Sequence, residues 1–330
     1  MRRILKLTAL LLTGVIIICG YSYLTDKTNY AKWNISKLNS DTSRISWAKF
    51  IWTNDTLNGK YYERTSMQIP CKIEGLPYSF LFQFDLGADL TSVYENNISS
   101  FYTLYPDLKN RIARLRSPLQ FWYNKKGFKD LTILFGGYEV SNKFINFYSN
   151  YGSKLNIEKS SLSDTFNIGT IGVDLFQNKV LIIDYPNQRF AISDTVPRVF
   201  NFYLSDIELD QAGRVLLPMQ LKGKKFKTMF DNGSSLFPLL VTDDKINNFS
   251  NLPNCDTFIG NAWGKTITMI GRPLNDSFII AGHTFNKSKV YADYRQDSRT
   301  NKYDAVTGNI LFWDKTIIID FKNKKFGIGY

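Results

Sequence analysis

The chain has 330 residues, of which 44% are apolar and 15% aromatic, and it carries a formal net charge of +12. That length allows two domains of ordinary size, each with a packed core. The single histidine, His283, excludes a zinc site built from several histidines, and any Ser-His-Asp or Cys-His machinery would have to use that one residue.

His283 lies in "AGHTF" and reads as a turn or strand-edge residue. The cysteines are Cys19, Cys71 and Cys255, with no CxxC spacing. Only Cys71 and Cys255 remain for a disulfide in the folded part, and their spacing gives no positive sign of one. The basic residues are spread through Lys-rich turns such as "NKKG" and "KNKKF". These read as solvated loops, with attraction to an anionic surface as the other reading. No interleaved aromatic and basic pattern marks a nucleic-acid surface. Abundant Phe and Tyr, with turns rich in Asn, Gly and Asp, favour strands over helices.

In chain order, residues 1–24 begin "MRRILKLTALLLTGVIIICG". The positive start and the long apolar run predict a membrane anchor or signal segment. Arg2, Arg3 and Lys6 favour a cytoplasmic N-terminus, so the remainder faces the non-cytoplasmic side, membrane-anchored or secreted. Cys19 follows the bulky Ile18, which does not suit a lipoprotein site. Residues 25–59 read as a polar tether carrying Trp33, Trp47 and Trp52.

Beyond the tether the chain repeats itself. "IPCKIEGLPYSFLFQFDLGADLTSVY" begins at Ile69, and "LPMQLKGKKFKTMFDNGSSLFPLLV" begins at Leu217. Pro70 matches Pro218, Gly75 matches Gly223, Asp85 matches Asp231 and Gly87 matches Gly233. Later, "IGVDLFQNKVLIIDYPNQRFAI" is matched by "TGNILFWDKTIIIDFKNKKFGI". There Gly172 pairs with Gly308, Phe176 with Phe312, and Asp184 with Asp320. The apolar runs "VLIID" and "TIIID" predict strands that turn at Asp184 and Asp320 into hairpins. Two similar halves in the same order indicate lobes at 60–197 and 205–330, joined near "VPRVFNFYLSDIE". Helices are few and short in this reading; "YPDLKNRIARLRS" and "TDDKINNF" are the candidates.

Two Asp-x-Gly motifs, each led by an apolar strand and followed much later by Gly-x-x-x-Phe and a hairpin, resemble the pepsin-like and retropepsin-like aspartic proteases. The resemblance spans nearly everything beyond the tether. It implies a mainly β fold of two similar β-barrel-like lobes with a central cleft. It implies Asp85 and Asp231 as the catalytic pair, supported by Gly87, Ala88, Gly233 and Ser234. It also implies a hairpin flap in "PLQFWYNKKGFKDLTIL", with Tyr123, just before "NKKG", as the flap residue. Trp122 or Phe121 in that place, and a plain exposed hairpin, are the other readings. Neither a metal nor a cofactor is expected. The expected substrate is a peptide or unfolded protein, the membrane is reached through the N-terminal segment, no nucleic acid is bound, and the chain is a monomer.

Two close carboxyls cannot both ionise cheaply, so one keeps a proton. The charged member can then draw a proton from water while the other donates to a substrate carbonyl. The family motif has Thr or Ser at its middle position; here Leu86 and Asn232 stand there. Leu86 cannot make the hydroxyl hydrogen bonds that tie the two loops together, and Asn232 can bond only with a different reach. An active but unusual peptidase, a weakened one, and a catalytically inactive peptide- or protein-binding module on the same fold are the three readings this leaves. A structural surface protein is a further class, but it gives no reason for two buried carboxylates. Ser234 has the reach to hydrogen-bond Asp231 from outside. Asp89 reads as a loop cap rather than a third catalytic carboxylate. The sequon Asn232-Gly233-Ser234 is discounted because a buried motif accepts no glycan.

Overall fold

The computed structural model describes residues 33–38, 45–57, 59–117, 120–286, 288–293 and 303–329. Of these, 116, 117, 120–124, 261 and 262 are described by backbone alone. The expected anchor or signal at 1–24 lies outside the described residues. Among the described residues no helix is long and apolar enough to cross a membrane.

The fold is mainly β with few short helices. The first half supplies β1 (Asn34–Lys37), β2 (Ala48–Lys49), β3 (Ile51–Leu57), β4 (Lys60–Ile73), β5 (Ser79–Phe84) and β6 (Ser92–Tyr94). It continues with β7 (Ile112–Ser117), β8 (Gln120–Phe135), β9 (Tyr138–Tyr148), β10 (Thr165–Ile171), β11 (Val180–Asp184) and β12 (Arg189–Ser193). The second half supplies β13 (Leu204–Asp206), β14 (Glu208–Leu209), β15 (Val215–Leu221), β16 (Lys224–Phe230), β17 (Leu239–Thr242) and β18 (Asp256–Ala262). It ends with β19 (Lys265–Leu274), β20 (Phe278–Ile280), β21 (His283–Phe285), β22 (Ser288–Asp293), β23 (Ala305–Thr307), β24 (Thr316–Asp320) and β25 (Lys325–Gly329).

Side-chain periodicity explains the key strands. In β5, Phe80, Phe82 and Phe84 are fully buried and alternate with half-buried Ser79, Leu81 and Gln83. Each buried ring contributes roughly 1.5–3 kcal/mol of transfer free energy. By contrast, "VLIID" in β11 is buried at every position and "TIIID" in β24 at all but the first. Such strands need cover on both faces, and they form the middle of a six-stranded sheet ordered β13-β25-β24-β11-β12-β2. There β11 and β24 run antiparallel with Ile182 opposite Ile318, so the two halves meet about a local twofold axis.

On either side of that sheet the two halves repeat one order of pairings. Strand β4 is antiparallel to β5, and β10 runs parallel to β5 and antiparallel to β6. In the second half β15 is antiparallel to β16, and β23 runs parallel to β16 and antiparallel to β17. The β7–β8–β9 succession is matched by β18–β19–β22.

The expectation of barrel-like lobes is corrected: the sheets are not closed barrels. Strand β8 meets β4 only at Lys72↔Leu134 and Ile73↔Ile133, because its other end is occupied by β7. The second-half sheet runs from β18 to β21 and ends on those edge strands.

Of the two candidate helices, "TDDKINNF" forms a 3₁₀ turn at Asp243–Lys245 leading into a helix at Ile246–Phe249. "YPDLKNRIARLRS" is helical only over Pro106–Asn110, with Pro106 at its first turn, and its basic remainder becomes β7. The described parts of 25–59 are built into sheets: β1 pairs with β9, β2 with β12 and β3 with β4.

The β11–β24 junction gives the first prediction. Ile182→Ala and Ile318→Ala, each in a fully buried position, are expected to destabilise the protein by about 2–5 kcal/mol in urea denaturation. Losses below about 0.5 kcal/mol would contradict the role of this sheet as the joint between the halves.

Candidate active site

Each motif aspartate sits one residue beyond a core strand and is fixed by the same backbone device. After β5, the Asp85 N–H donates to Ile171 O at 3.0 Å; after β16, the Asp231 N–H donates to Thr307 O at 2.9 Å. Each chain then turns, with Ala88 N–H donating to Asp85 O and Ser234 N–H to Asp231 O. The preceding residues anchor both turns in the core. The Phe84 ring packs against Phe176 (5.5 Å between centroids) and Phe190 (5.3 Å). Phe230 packs in the same way against Phe312 (5.4 Å) and Phe326 (6.1 Å). The phenylalanine of each Gly-x-x-x-Phe motif is therefore a floor beneath its aspartate.

The two carboxyls come together across the halves. Asp85 is buried and Asp231 half-buried, and their side chains are hydrogen-bonded to each other. The Gly87 and Gly233 positions show how close the approach is. A methyl group on Gly233 would lie 2.6 Å from Cγ of Asp85, and one on Gly87 would lie 2.6 Å from Oδ1 of Asp231. Each glycine faces the opposite half's carboxyl, so any larger residue would force the pair apart. Asp85 Oδ1 accepts the N–H groups of Gly87 (2.9 Å) and Ala88 (3.1 Å). Asp231 accepts from Gly233 (2.9 Å) and from the Ser234 N–H.

Burial raises the Asp85 carboxyl well above the usual carboxylate range, and the neighbouring Asp231 charge and their shared hydrogen bond raise it further. Burial also raises Asp231, but the hydrogen bond from Asp85, the two backbone N–H groups and the Arg214 cation oppose that rise. The pair therefore holds a proton where an isolated carboxylate would have lost it.

The unusual middle residues are accommodated by a one-way tie. Buried Asn232 accepts the Leu86 backbone N–H on its Oδ1 at 2.5 Å, linking the two motif loops. Asn309 Nδ2 donates to the Asn232 carbonyl at 2.6 Å, and Tyr185 donates its hydroxyl to Asn309 Oδ1 at 2.6 Å. The Leu86 side chain is fully buried in the main core. The hydroxyl ties expected of the family motif are thus replaced by an amide on one side and apolar packing on the other. With no exposure at Asn232, the sequon there has no access for a glycan.

The flap expectation is corrected in its geometry. Strands β7 and β8 pair antiparallel at the expected place in the chain, with Ser117 opposite Gln120; residues 118 and 119 lie outside the described residues. "NKKG" is not the turn: Asn124, Lys125, Lys126 and Gly127 pair with Arg116, Leu115, Arg114 and Ala113 inside the ladder. The side chains of Phe121, Trp122 and Tyr123 lie outside the described residues.

Several site residues were not read from the sequence. Buried Arg214 contacts Asp89 of the first motif loop at 3.4 Å and Asp210 at 2.6 Å. Buried Asp174 accepts from Thr91 N–H (2.7 Å), Thr91 Oγ1 (2.8 Å) and Trp33 Nε1 (2.8 Å), holding the far end of the Asp85 loop. Trp263, at the β18–β19 turn, stacks on Tyr148 at 5.0 Å and reaches Tyr151 at 5.8 Å, joining the second half to the first. Asp184 and Asp320 are turn residues, accepting from Asn187 and Asn323. Cys71 and Cys255 are both free, and His283 opens strand β21.

No protein-family model and no curated protein matches this chain.

Two predictions follow from the geometry. Asn232→Ala leaves the buried Leu86 N–H without its acceptor and is expected to cost about 1–3 kcal/mol in urea denaturation; no loss would mean the tie carries no load. The second concerns pH. The folded Asp85 keeps its proton to higher pH than it does in the unfolded chain. Its contribution to stability is therefore most favourable below the usual carboxylate range. It declines as pH rises towards the raised folded value, at up to about 1.4 kcal/mol per pH unit for one proton. Asp85→Asn removes that decline, so its stability relative to wild type improves from acid to neutral pH. Parallel pH dependences would contradict the shared proton.

Proposed function

We propose that this chain is an aspartic endopeptidase whose two halves act as lobes flanking a substrate cleft. The observation that carries the reading is the meeting of Asp85 and Asp231: two carboxyls from two repeated strand-turn units, hydrogen-bonded to each other and each set against the other's glycine. A merely structural role does not explain retaining two adjoining carboxyls, one buried and one half-buried, where apolar residues would pack as well.

In this reading the charged member takes a proton from a water molecule as the water oxygen bonds to the scissile carbonyl carbon. The protonated member gives its proton to the carbonyl oxygen, forming a tetrahedral diol with no covalent enzyme adduct. Transfer of a proton to the peptide nitrogen then breaks the C–N bond, yielding a carboxylic acid and an amine, and the pair again holds one proton. The backbone N–H groups on each carboxyl fix its orientation before substrate arrives. The substrate class is peptide or unfolded protein, and the β7–β8 strand pair serves as its flap in this reading. The N-terminal apolar segment supports a membrane-tethered or secreted enzyme acting on the non-cytoplasmic side.

Leu86, in place of a hydroxyl residue, favours the second reading, a catalytically inactive peptide-binding module on the same scaffold. The two separate cleanly. Asp85→Asn and Asp231→Asn are each expected to lower cleavage of an unfolded protein at mildly acid pH by about 10²–10⁴-fold while the fold is kept. Peptide binding without cleavage in the wild type would overturn the enzymatic reading and leave the binding module.

A further inference from the structure

Resting on the peptidase reading, the geometry points to Arg214 as the positioning residue that breaks the symmetry of the pair, holding Asp231 as the carboxylate and leaving the proton on Asp85. The two halves match closely around the aspartates, but not at this position. Leu216 of β15 lies opposite Met229 of β16. Continued two residues beyond its last pair, that register would set Arg214 across from Asp231, and the Arg214 cation does act on the Asp231 carboxyl. In the first half Gln68 of β4 lies opposite Gln83 of β5, and the same two-residue step would set Ser66 across from Asp85. Directly opposed residues on antiparallel strands share one face of the sheet. In that register one aspartate has a cation as its neighbour and the other a neutral hydroxyl. Ser66 is itself engaged in a neutral network, with Thr53 Oγ1 at 2.6 Å and Gln68 Nε2 at 3.0 Å.

Arg214 is built in rather than incidental. It is 5% exposed. Its Nε and Nη2 both donate to Asp210 Oδ2, at 2.8 and 2.6 Å. Asp210 is fixed in turn by the N–H groups of Ala212 (2.8 Å) and Arg214 (3.0 Å) on its Oδ1. Nη1 is left to point at Asp89, four residues beyond Asp85, at 3.4 Å. Asp89 is largely exposed, so water screens it and it neutralises little of the buried cation. The ionisable groups facing Arg214 are Asp210, Asp89, Asp231 and the Tyr303 phenol; those facing Asp85 are Asp231 and the Tyr94 phenol. Although paired with Asp210, the Arg214 cation still acts to lower the Asp231 carboxyl. The equivalent contact on the other side is uncharged: Ser235, the counterpart of Asp89, donates its hydroxyl to the Arg64 carbonyl at 2.6 Å.

The test is a carboxyl-carbon NMR titration of aspartate-labelled protein, which needs no substrate. In Asp85→Asn the remaining Asp231 is expected to titrate at least about one pH unit below the remaining Asp85 in Asp231→Asn. Adding Asp210→Asn with Arg214→Met, which removes the buried ion pair as a unit, is expected to close that gap. Arg214→Lys is expected to preserve it. Equal titrations in the two single variants, or a gap unchanged by the neutral double replacement, would overturn the role of Arg214. If the double replacement does not fold, Asp210→Asn with Arg214→Gln serves instead: it must close the gap, and a gap left unchanged overturns the inference. Failure of the peptidase reading shows differently, as wild-type Asp85 and Asp231 titrating independently in the usual carboxylate range.

Discussion

Two carboxyls within hydrogen-bonding reach, one buried and one half-buried, are tolerable only if they hold one proton between them, and much of this molecule is arranged around that constraint. A pair of free carboxylates would repel strongly in a medium that screens poorly. The protein offsets the cost with backbone N–H groups from Gly87, Ala88, Gly233 and Ser234. It prevents the pair from relaxing apart by interlocking the two loops, each glycine against the opposite carboxyl. Behind the loops, Phe84 and Phe230 each lie on two further rings, so neither aspartate can retreat into the core. The β11–β24 junction sets the distance between the halves at which all of this happens.

The tie between the loops shows how one device can replace another. A side-chain amide at Asn232 spans to the Leu86 N–H, and its own carbonyl is held by Asn309, which Tyr185 holds in turn. Loss of hydroxyls from both motifs therefore does not leave a buried donor orphaned at Leu86. The exchange is lopsided, with a polar chain under Asp231 and apolar packing under Asp85. Together with the Arg214 cation acting on Asp231, it gives two carboxyls of equal sequence context unequal surroundings. An acid–base pair needs that inequality, since one member must be charged when the other is not.

The sequence made the repeat legible because it is written in strand periodicity and in fixed spacings. Asp85 and Asp231, the strands that lead to them, and the hairpins closing at Asp184 and Asp320 all follow from apolar runs ending at turn residues. What escaped depends on contacts between segments far apart in the chain. Arg214 looks like any surface arginine until the fold buries it against Asp210 and Asp89, and Asp174 and Asn309 are likewise turn residues until the strands are assembled. The hairpin turn was misplaced because "NKKG" has turn chemistry but β7 offers it a ladder to join; pairing with Ala113–Arg116 outweighed local preference. The barrels failed for a similar reason, since strand number and order were readable but the brief β4–β8 contact was not.

Neutron diffraction from deuterium-exchanged crystals at neutral pH addresses the central claim most directly, because it locates the proton. The account predicts a single deuteron between the carboxyl oxygens of Asp85 and Asp231, with those oxygens in hydrogen-bond contact. Two bare carboxylates, or two side chains turned towards separate surroundings, would contradict it.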